Sequence, residues 1–140
     1  MIIDILYIVV RQYKGMRKRV FIYALKCLED KYYVGKSFNP GKRIQAHFNG
    51  HGAAWTQKYL PIEVDMIIDG DVYDEDKYTL EYMDHYGIEN VRGGVYCQLV
   101  LPDYHIKTLN EQLRNYRDLC FKCDESGHFS RNCPNITPKD

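Results

Sequence analysis

The amino-acid sequence predicts a small α/β (α+β) domain in which helices flank a three-stranded, mostly antiparallel sheet. Residues 20–27 and 32–36 are rich in β-branched and aromatic residues, and only the short polar segment 28–31 separates them. This arrangement is typical of an antiparallel hairpin. A third such run, at residues 62–68, lies between segments with helical signals. The resulting order ββα(α)βα indicates one sheet packed against helices.

Two helices are predicted between the second and third strands, and one after the third. Asn39, followed by a proline that the first turn tolerates, can cap a helix that ends at Gly50. Residues 53–59 are a candidate for a shorter second helix. Acidic residues are favoured near the start of a helix, so residues 74–76 predict the beginning of the next helix. Gly87 predicts its end.

The last part of the chain predicts a loop, a short strand and an amphipathic helix. Residues 90–100 contain two adjacent glycines and a β-rich end. Beyond Pro102, apolar residues recur at helical spacing at Ile106, Leu109, Leu113 and Tyr116. The predicted organisation is an N-terminal extension or first strand (1–19), a globular domain (20–100), a connecting helix (101–119), a metal-binding segment (120–133) and a tail (134–140).

The charges are balanced in number but not in distribution. The chain has 19 basic and 19 acidic residues, so no overall field favours a polyanionic partner. No acidic residue occurs between Lys31 and Pro61, whereas ten carboxylates and a single lysine occupy residues 63–89. A basic half can hold phosphates and an acidic segment can supply a metal ligand. The alternative is a set of solvated surfaces that cluster by sign.

Cysteine usage favours a reducing compartment. Five cysteines cannot form a closed disulfide framework, and three of them belong to a metal-ligand pattern, which leaves Cys27 and Cys97 as predicted core thiols. The apolar residues 1–10 are too few to span a bilayer and lack the flanks of a signal peptide. We therefore expect an intracellular protein, in the cytoplasm or nucleus, that has no membrane partner and is not secreted.

Four metal-binding side chains follow the spacing C-x2-C-x4-H-x4-C: Cys120, Cys123, His128 and Cys133. This pattern resembles the CCHC zinc knuckle. Three thiolates and one imidazole make a closed tetrahedral zinc site, which is structural rather than catalytic. Such a short segment cannot bury a core, so Zn²⁺ should supply most of its folding free energy.

Zinc knuckles bind single-stranded nucleic acid by stacking an unpaired base on an aromatic ring. Phe121 and Phe129 are the candidate rings here, and Lys122 and Arg131 are the candidate phosphate contacts. The alternative is a knuckle that docks a protein.

A second resemblance lies in the predicted hairpin. Phe21-Ile-Tyr23 and Tyr33-Val-Gly35 resemble the two motifs that name the GIY-YIG endonuclease superfamily, with Phe21 in place of the first glycine. Residues 50–56 resemble the G-x-GA-x-x-T stretch of its small single-domain members. Residues 86–96 resemble a stretch of GIY-YIG proteins that carry zinc knuckles, including some from large DNA viruses.

The resemblance implies a site for phosphodiester hydrolysis made of Tyr23, Tyr33, Arg43, His47 and Glu81. Glu81 would hold a catalytic Mg²⁺ or Mn²⁺ ion, and Glu75 is the alternative if the helix alignment shifts. Arg43 would bind phosphate oxygens, and the two tyrosines would position or deprotonate the attacking water.

A phenol needs nearby positive charge to lose its proton near neutral pH. Arg43, His47 and Lys36 are the candidate sources of that charge, and Lys36 is also a candidate contact for nucleic acid. Asn90 is a possible accessory residue. Arg92 could reach a phosphate, although a loop that packs under the sheet explains the 86–96 stretch almost as well.

These features together predict a divalent-metal-dependent endonuclease that cuts branched or partly single-stranded DNA, aided by the zinc knuckle. The expected partner is nucleic acid, with DNA favoured over RNA. Two alternatives remain open, namely a nucleic-acid-binding module with an inactive nuclease fold and an RNA-directed nuclease.

Overall fold

The computed structural model describes residues 19–117 and the separate residues 123, 125, 127, 133 and 134. Nearly all of the predicted N-terminal extension, most of the predicted zinc knuckle and most of the tail lie outside these residues. The chain divides into two compact units, residues 1–100 and residues 101–140.

The described secondary structure follows the predicted order, and the mixed α+β class is confirmed. The first unit contains β1 (Val20–Cys27), β2 (Lys31–Ser37), α1 (Pro40–Phe48), α2 (Ala54–Lys58), β3 (Pro61–Gly70), α3 (Asp74–Tyr86) and β4 (Val91–Gly93). The second unit contains α4 (Asp103–Tyr116), in the segment where the amphipathic helix is predicted.

β1 and β2 form the predicted antiparallel hairpin. A short 3-10 turn, Leu28–Asp30, joins them, and its Glu29 and Asp30 have left-handed backbone angles (φ 60° and 56°). The register places Tyr23 opposite Gly35. The two tyrosine-containing motifs therefore lie side by side in the sheet.

The sheet has four strands in the order β3-β1-β2-β4, so the predicted count of three is wrong. β1 is antiparallel to β2 and β3, whereas β4 runs parallel to β2 and pairs only with residues 32–34. The sequence predicts a short strand at the β-rich end of residues 90–100, whereas β4 lies at the start of that segment, because a strand of three residues that ends in glycine is too short to show an alternating pattern. Among the described residues, no strand pairs with the outer edge of β2 at residues 35–37.

Side chains alternate along each strand, so the hairpin has two faces. Helices cover both of them. The core cluster on the α1 and α2 side consists of Tyr23, Leu25, Cys27, Tyr33, Ile44 and Trp55. On the opposite face, Tyr32 stacks on Tyr86 of α3 with ring centroids 3.9 Å apart. Burial on both faces explains why β1 is a nearly continuous apolar run.

Two of the predicted helix ends are confirmed by the backbone and side-chain geometry around them. The side-chain oxygen of Asn39 accepts a hydrogen bond from the backbone N–H of Lys42 at 3.3 Å, so Asn39 caps α1 as expected. α3 ends at Gly87, whose φ of 99° suits a residue without a Cβ. In the part of the chain that the structure describes, no helix is both long and apolar enough to cross a membrane.

Arg92 and Asn90 hold the loop after α3 in place. The buried guanidinium of Arg92 donates to four backbone carbonyl oxygens within residues 88–99, at 2.7–3.2 Å, and lies 4.3 Å from the ring centroid of Trp55. The suggestion that Arg92 reaches a phosphate is therefore wrong. The amide of Asn90 bonds Lys31 Nζ and the Tyr86 carbonyl oxygen, at 2.7 and 2.8 Å, which is a structural role rather than the accessory one suggested.

Candidate active site

Tyr23, Tyr33 and His47 meet on the face of the sheet that α1 and α2 cover. The hydroxyl of Tyr23 lies 2.9 Å from His47 Nε2. The ring centroids of Tyr33 and His47 are 4.8 Å apart. Three residues that the sequence proposes as catalytic, from two strands and one helix, are thus in direct contact.

Gly35 leaves the space that the Tyr23 ring occupies. A Cβ at position 35 would lie 2.5 Å from both Cζ and Oη of Tyr23, closer than any real Cβ contact. Because the register sets these two residues opposite each other, the glycine of one motif and the tyrosine of the other form one packing unit. This contact explains why a glycine in the second motif accompanies a tyrosine in the first.

The imidazole of His47 is hydrogen-bonded on both sides. Its Nδ1 lies 2.7 Å from Oγ1 of Thr56, whose hydroxyl donates to the carbonyl oxygen of Ala53 at 3.0 Å. A Cβ at Gly52 would overlap the ring at Nδ1, so this glycine also makes room for a site residue. The stretch that resembles G-x-GA-x-x-T therefore surrounds His47.

His47 is neutral at physiological pH. Burial, followed by the charge of Arg43, lowers the pKa of the imidazole to about 4. The expectation that His47 supplies positive charge to the phenols is therefore wrong. What His47 offers Tyr23 is a hydrogen bond.

Arg43 is the cation that acts on both phenols. Burial is the largest cause that raises the pKa of Tyr23 and of Tyr33. Arg43 opposes it in both, through its charge and through a side-chain hydrogen bond. Both phenols are protonated at neutral pH, and the exposed Arg43 is positioned to stabilise negative charge on either oxygen.

Glu75 adds a half-buried carboxylate to this group. Its Oε1 lies 4.0 Å from Lys36 Nζ, and the Lys36 backbone also hydrogen-bonds the carboxylate. Lys36 Nζ donates to the carbonyl oxygen of Val72 at 3.1 Å, which ties the start of α3 to the edge of β2. Burial, rather than a neighbouring charge, is the main cause that raises the pKa of Glu75.

The charge of Glu75 also raises the pKa of both Tyr23 and Tyr33. Glu81 is exposed and lies six residues further along α3. That offset corresponds to about 9 Å along the helix axis and about 120° around it. The structure therefore groups Glu75, rather than Glu81, with the tyrosines.

The half-buried carboxylate of Glu75 fits an ion such as Mg²⁺. This ion prefers hard oxygen ligands and is commonly held by one or two carboxylates, with water and substrate phosphates completing its shell. Among residues 19–117 and the five other described positions, no three His, Cys, Asp or Glu side chains form a metal-binding group.

The predicted zinc ligands are only partly described. Cys123 and Cys133 are each partly exposed. Cys120, His128 and the predicted nucleic-acid contacts Phe121, Lys122, Phe129 and Arg131 lie outside the described residues. Their roles remain predictions.

Comparisons with known proteins agree with both resemblances. Residues 19–83 match the family model of the GIY-YIG catalytic domain, and residues 118–135 match that of the zinc knuckle. No solved structure matches the chain.

The similar curated proteins carry the name UPF0213, which states no activity. A UPF0213 protein of Clostridium perfringens is 41% identical over 44 residues, which is 31% of this chain and 47% of that protein. One of Bacillus cereus is 31% identical over 64 residues, which is 46% of this chain and 62% of that protein. The match thus spans about half the length of the first relative. The chain therefore combines a domain of the GIY-YIG nuclease superfamily, at residues 19–83, with a CCHC zinc knuckle at residues 118–135.

Proposed function

We propose that this protein is a divalent-metal-dependent endonuclease that hydrolyses phosphodiester bonds in branched or partly single-stranded DNA. The observation that carries the proposal is the convergence of two phenols, Arg43, His47 and Glu75 at one place on the sheet. A site for phosphodiester hydrolysis needs a group that takes a proton from water, and it needs positive charge at the phosphate. This cluster supplies candidates for each.

Glu75 would hold Mg²⁺ or Mn²⁺, which when bound supplies positive charge to the scissile phosphate and the leaving oxygen. Two observations support Glu75 over Glu81: its contact with Lys36 of β2, and the effect of its charge on the pKa of both phenols. Lys36, beside Glu75, offers a second positive charge for the backbone of the substrate.

Tyr23 and His47 would move the proton. As the attacking water gives a proton to Tyr23 Oη, Tyr23 passes its own proton to His47 Nε2, 2.9 Å away. Hydroxide then forms the new P–O bond, the old P–O bond breaks, and the leaving oxygen takes a proton from solvent. Phosphate binding at Arg43 offsets the charge that helps to keep the pKa of His47 low, so His47 becomes a better proton acceptor in the complex.

The test is a cleavage assay on matched DNA substrates: plain duplex, flap, fork and single strand, with RNA counterparts, in Mg²⁺ or Mn²⁺. We expect internal cuts in the substrates that contain unpaired strands, little cutting of plain duplex, and none when the metal is chelated. Binding without cleavage of any substrate would instead support an inactive nuclease fold. Preferential cutting of the RNA counterparts would support the RNA-directed alternative.

The zinc knuckle makes a separate prediction. Purified protein should carry about one tightly bound zinc, because three thiolates and an imidazole complete a tetrahedral site. Cys123→Ser should lose that zinc and weaken binding to single-stranded substrates, as measured by elemental analysis and fluorescence anisotropy. Cys97 lies outside the motif and is exposed, so the prediction that it is a core thiol is wrong. Cys97→Ser is therefore the matched control and should keep both the zinc and the binding. Wild-type protein without zinc would refute the knuckle assignment.

A further inference from the structure

The hydroxyl of Thr56 lies behind His47, on the ring edge that faces away from Tyr23. Thr56 belongs to α2 and is completely buried. Its Oγ1 lies 2.7 Å from His47 Nδ1 and 3.0 Å from the carbonyl oxygen of Ala53. Tyr23, His47, Thr56 and Ala53 thus form one chain of hydrogen bonds that runs from the sheet to the backbone of the segment before α2.

Only one placement of protons satisfies all three hydrogen bonds of this chain. The carbonyl oxygen of Ala53 can only accept, so the single proton of the Thr56 hydroxyl must point toward it. Oγ1 must then accept from His47, which puts the proton of the neutral imidazole on Nδ1. His47 Nε2 is left with a lone pair, and the Tyr23 hydroxyl donates to it.

Placing the imidazole proton on Nε2 instead leaves the contact between Thr56 and Ala53 without a hydrogen. If Nε2 carried the proton, it would donate to Tyr23 Oη, and Thr56 would have to donate to the bare Nδ1. Two oxygen atoms, Thr56 Oγ1 and the Ala53 carbonyl oxygen, would then face each other at 3.0 Å with no hydrogen between them. That placement therefore gives up one hydrogen bond of the chain, although the Ala53 carbonyl oxygen still accepts from the backbone N–H of Gln57 at 3.0 Å.

We propose that Thr56 is a positioning residue that selects the Nδ1-protonated form of His47, so that Nε2 can take the proton of Tyr23. This inference rests on the proposed nuclease function, in which Nε2 must be the acceptor. Without Thr56, the imidazole could place its proton on Nε2 and donate to Tyr23, which would reverse the hydrogen bond and block the transfer.

Gly52 supports the same role, because its missing Cβ lets the backbone close against the Nδ1 edge of the ring. The ring is thereby held between Gly52 and Thr56 on one side and Tyr23 on the other. Three residues of the 50–56 stretch thus act on His47 together. Gly52 makes room, the Ala53 carbonyl oxygen accepts a hydrogen bond from Thr56, and Thr56 Oγ1 accepts one from Nδ1–H of His47.

The experiment compares Thr56→Val, which keeps the shape but removes the hydroxyl, with Thr56→Ser, which keeps the hydroxyl. Long-range ¹H–¹⁵N NMR spectra of histidine-labelled full-length protein report which ring nitrogen is protonated, and His47→Asn assigns the signals. We expect a proton on Nδ1 in the wild type and in Thr56→Ser, and its loss or redistribution in Thr56→Val. The kcat of Thr56→Val should fall about 10–100-fold with KM unchanged, the range seen when the hydrogen-bond partner of a metal-binding histidine is removed, while Thr56→Ser stays close to wild type.

The spectra decide the question independently of cleavage, so failure of the nuclease proposal is distinguishable from failure of this one. A wild-type His47 with its proton on Nε2 would overturn the positioning role. So would a Thr56→Val protein whose protonation pattern or kcat equals that of the wild type. If the wild type cuts no substrate while the spectra show the expected pattern, the proposed nuclease function fails, and with it the catalytic consequence assigned to Thr56.

Discussion

Glu75→Gln is expected to lower the cleavage rate about 10²–10³-fold, the range seen when one group that stabilises the charge of a transition state is removed. Glutamine keeps the size of the side chain and its ability to bond the Lys36 backbone, but it loses the charge that would hold the divalent ion. The rate is measured under single-turnover conditions with Mg²⁺. Substrate affinity, measured by anisotropy, should change little, because Arg43 and Lys36 are intact.

The direction of this effect is informative, because the charge of Glu75 raises the pKa of Tyr23 and of Tyr33. Removing that charge alone would make both phenols easier to deprotonate and would favour the reaction. A large loss of rate must therefore come from the ion that Glu75 holds and not from the phenols.

Glu81→Gln is the matched control on the same helix. It changes an exposed carboxylate on a different side of α3 and should leave the rate close to wild type. The reverse result, with full activity in Glu75→Gln and loss in Glu81→Gln, would contradict the placement of the metal at Glu75. Full activity in both variants would leave metal binding at this helix without support.

The choice between these two glutamates shows where sequence reasoning stops. Both lie on α3, and an alignment by motif spacing favours Glu81. The contacts of Lys36 with Val72 and with Glu75, which hold the start of α3 against the edge of β2, indicate which turn of the helix belongs with the site. A contact between residues 36 positions apart leaves no trace in local periodicity.

The hairpin and the three larger helices were predictable because each has a local signal: an apolar run, a capping residue or a terminal glycine. For β4 the sequence predicted a short strand within residues 90–100 but not its position at Val91–Gly93, because three residues cannot display an alternating pattern. Its identity as a strand depends on parallel pairing with residues 32–34 of β2. The burial of Arg92 could not be predicted for the same reason. Its four carbonyl partners come together only when β4 has paired and the loop after it is in place.

The motifs identified both tyrosines, Arg43 and His47. They did not reveal the protonation state of His47. A histidine four residues after an arginine on one helix suggests a pair of cations. Complete burial against Tyr23 and Thr56 makes it neutral instead. Thr56 was visible in the 50–56 stretch, although nothing in the sequence linked its hydroxyl to the imidazole.

Arg43→Ala should lower cleavage by a comparable 10²–10³-fold, since it removes a charged donor from the reaction centre. The loss of cleavage has two causes. Arg43 lowers the pKa of each phenol, and its guanidinium can bind the phosphate of the substrate. Substrate affinity should therefore fall as well, unlike in Glu75→Gln. Single-turnover rates and anisotropy on the same substrate separate the two causes.

Two further variants distinguish this role from general attraction of nucleic acid. Lys42→Ala removes the neighbouring exposed cation and should weaken binding slightly, mainly at low salt, without lowering the rate at saturating substrate. Arg43→Lys keeps the charge but loses the planar pair of donors, so it should restore affinity more than rate. If Arg43→Ala only weakened binding, as Lys42→Ala does, Arg43 would be a surface contact. Proton transfer from Tyr23 would then have to depend on His47 alone, and burial, followed by the charge of Arg43, lowers the pKa of that imidazole to about 4, which makes it a weak base.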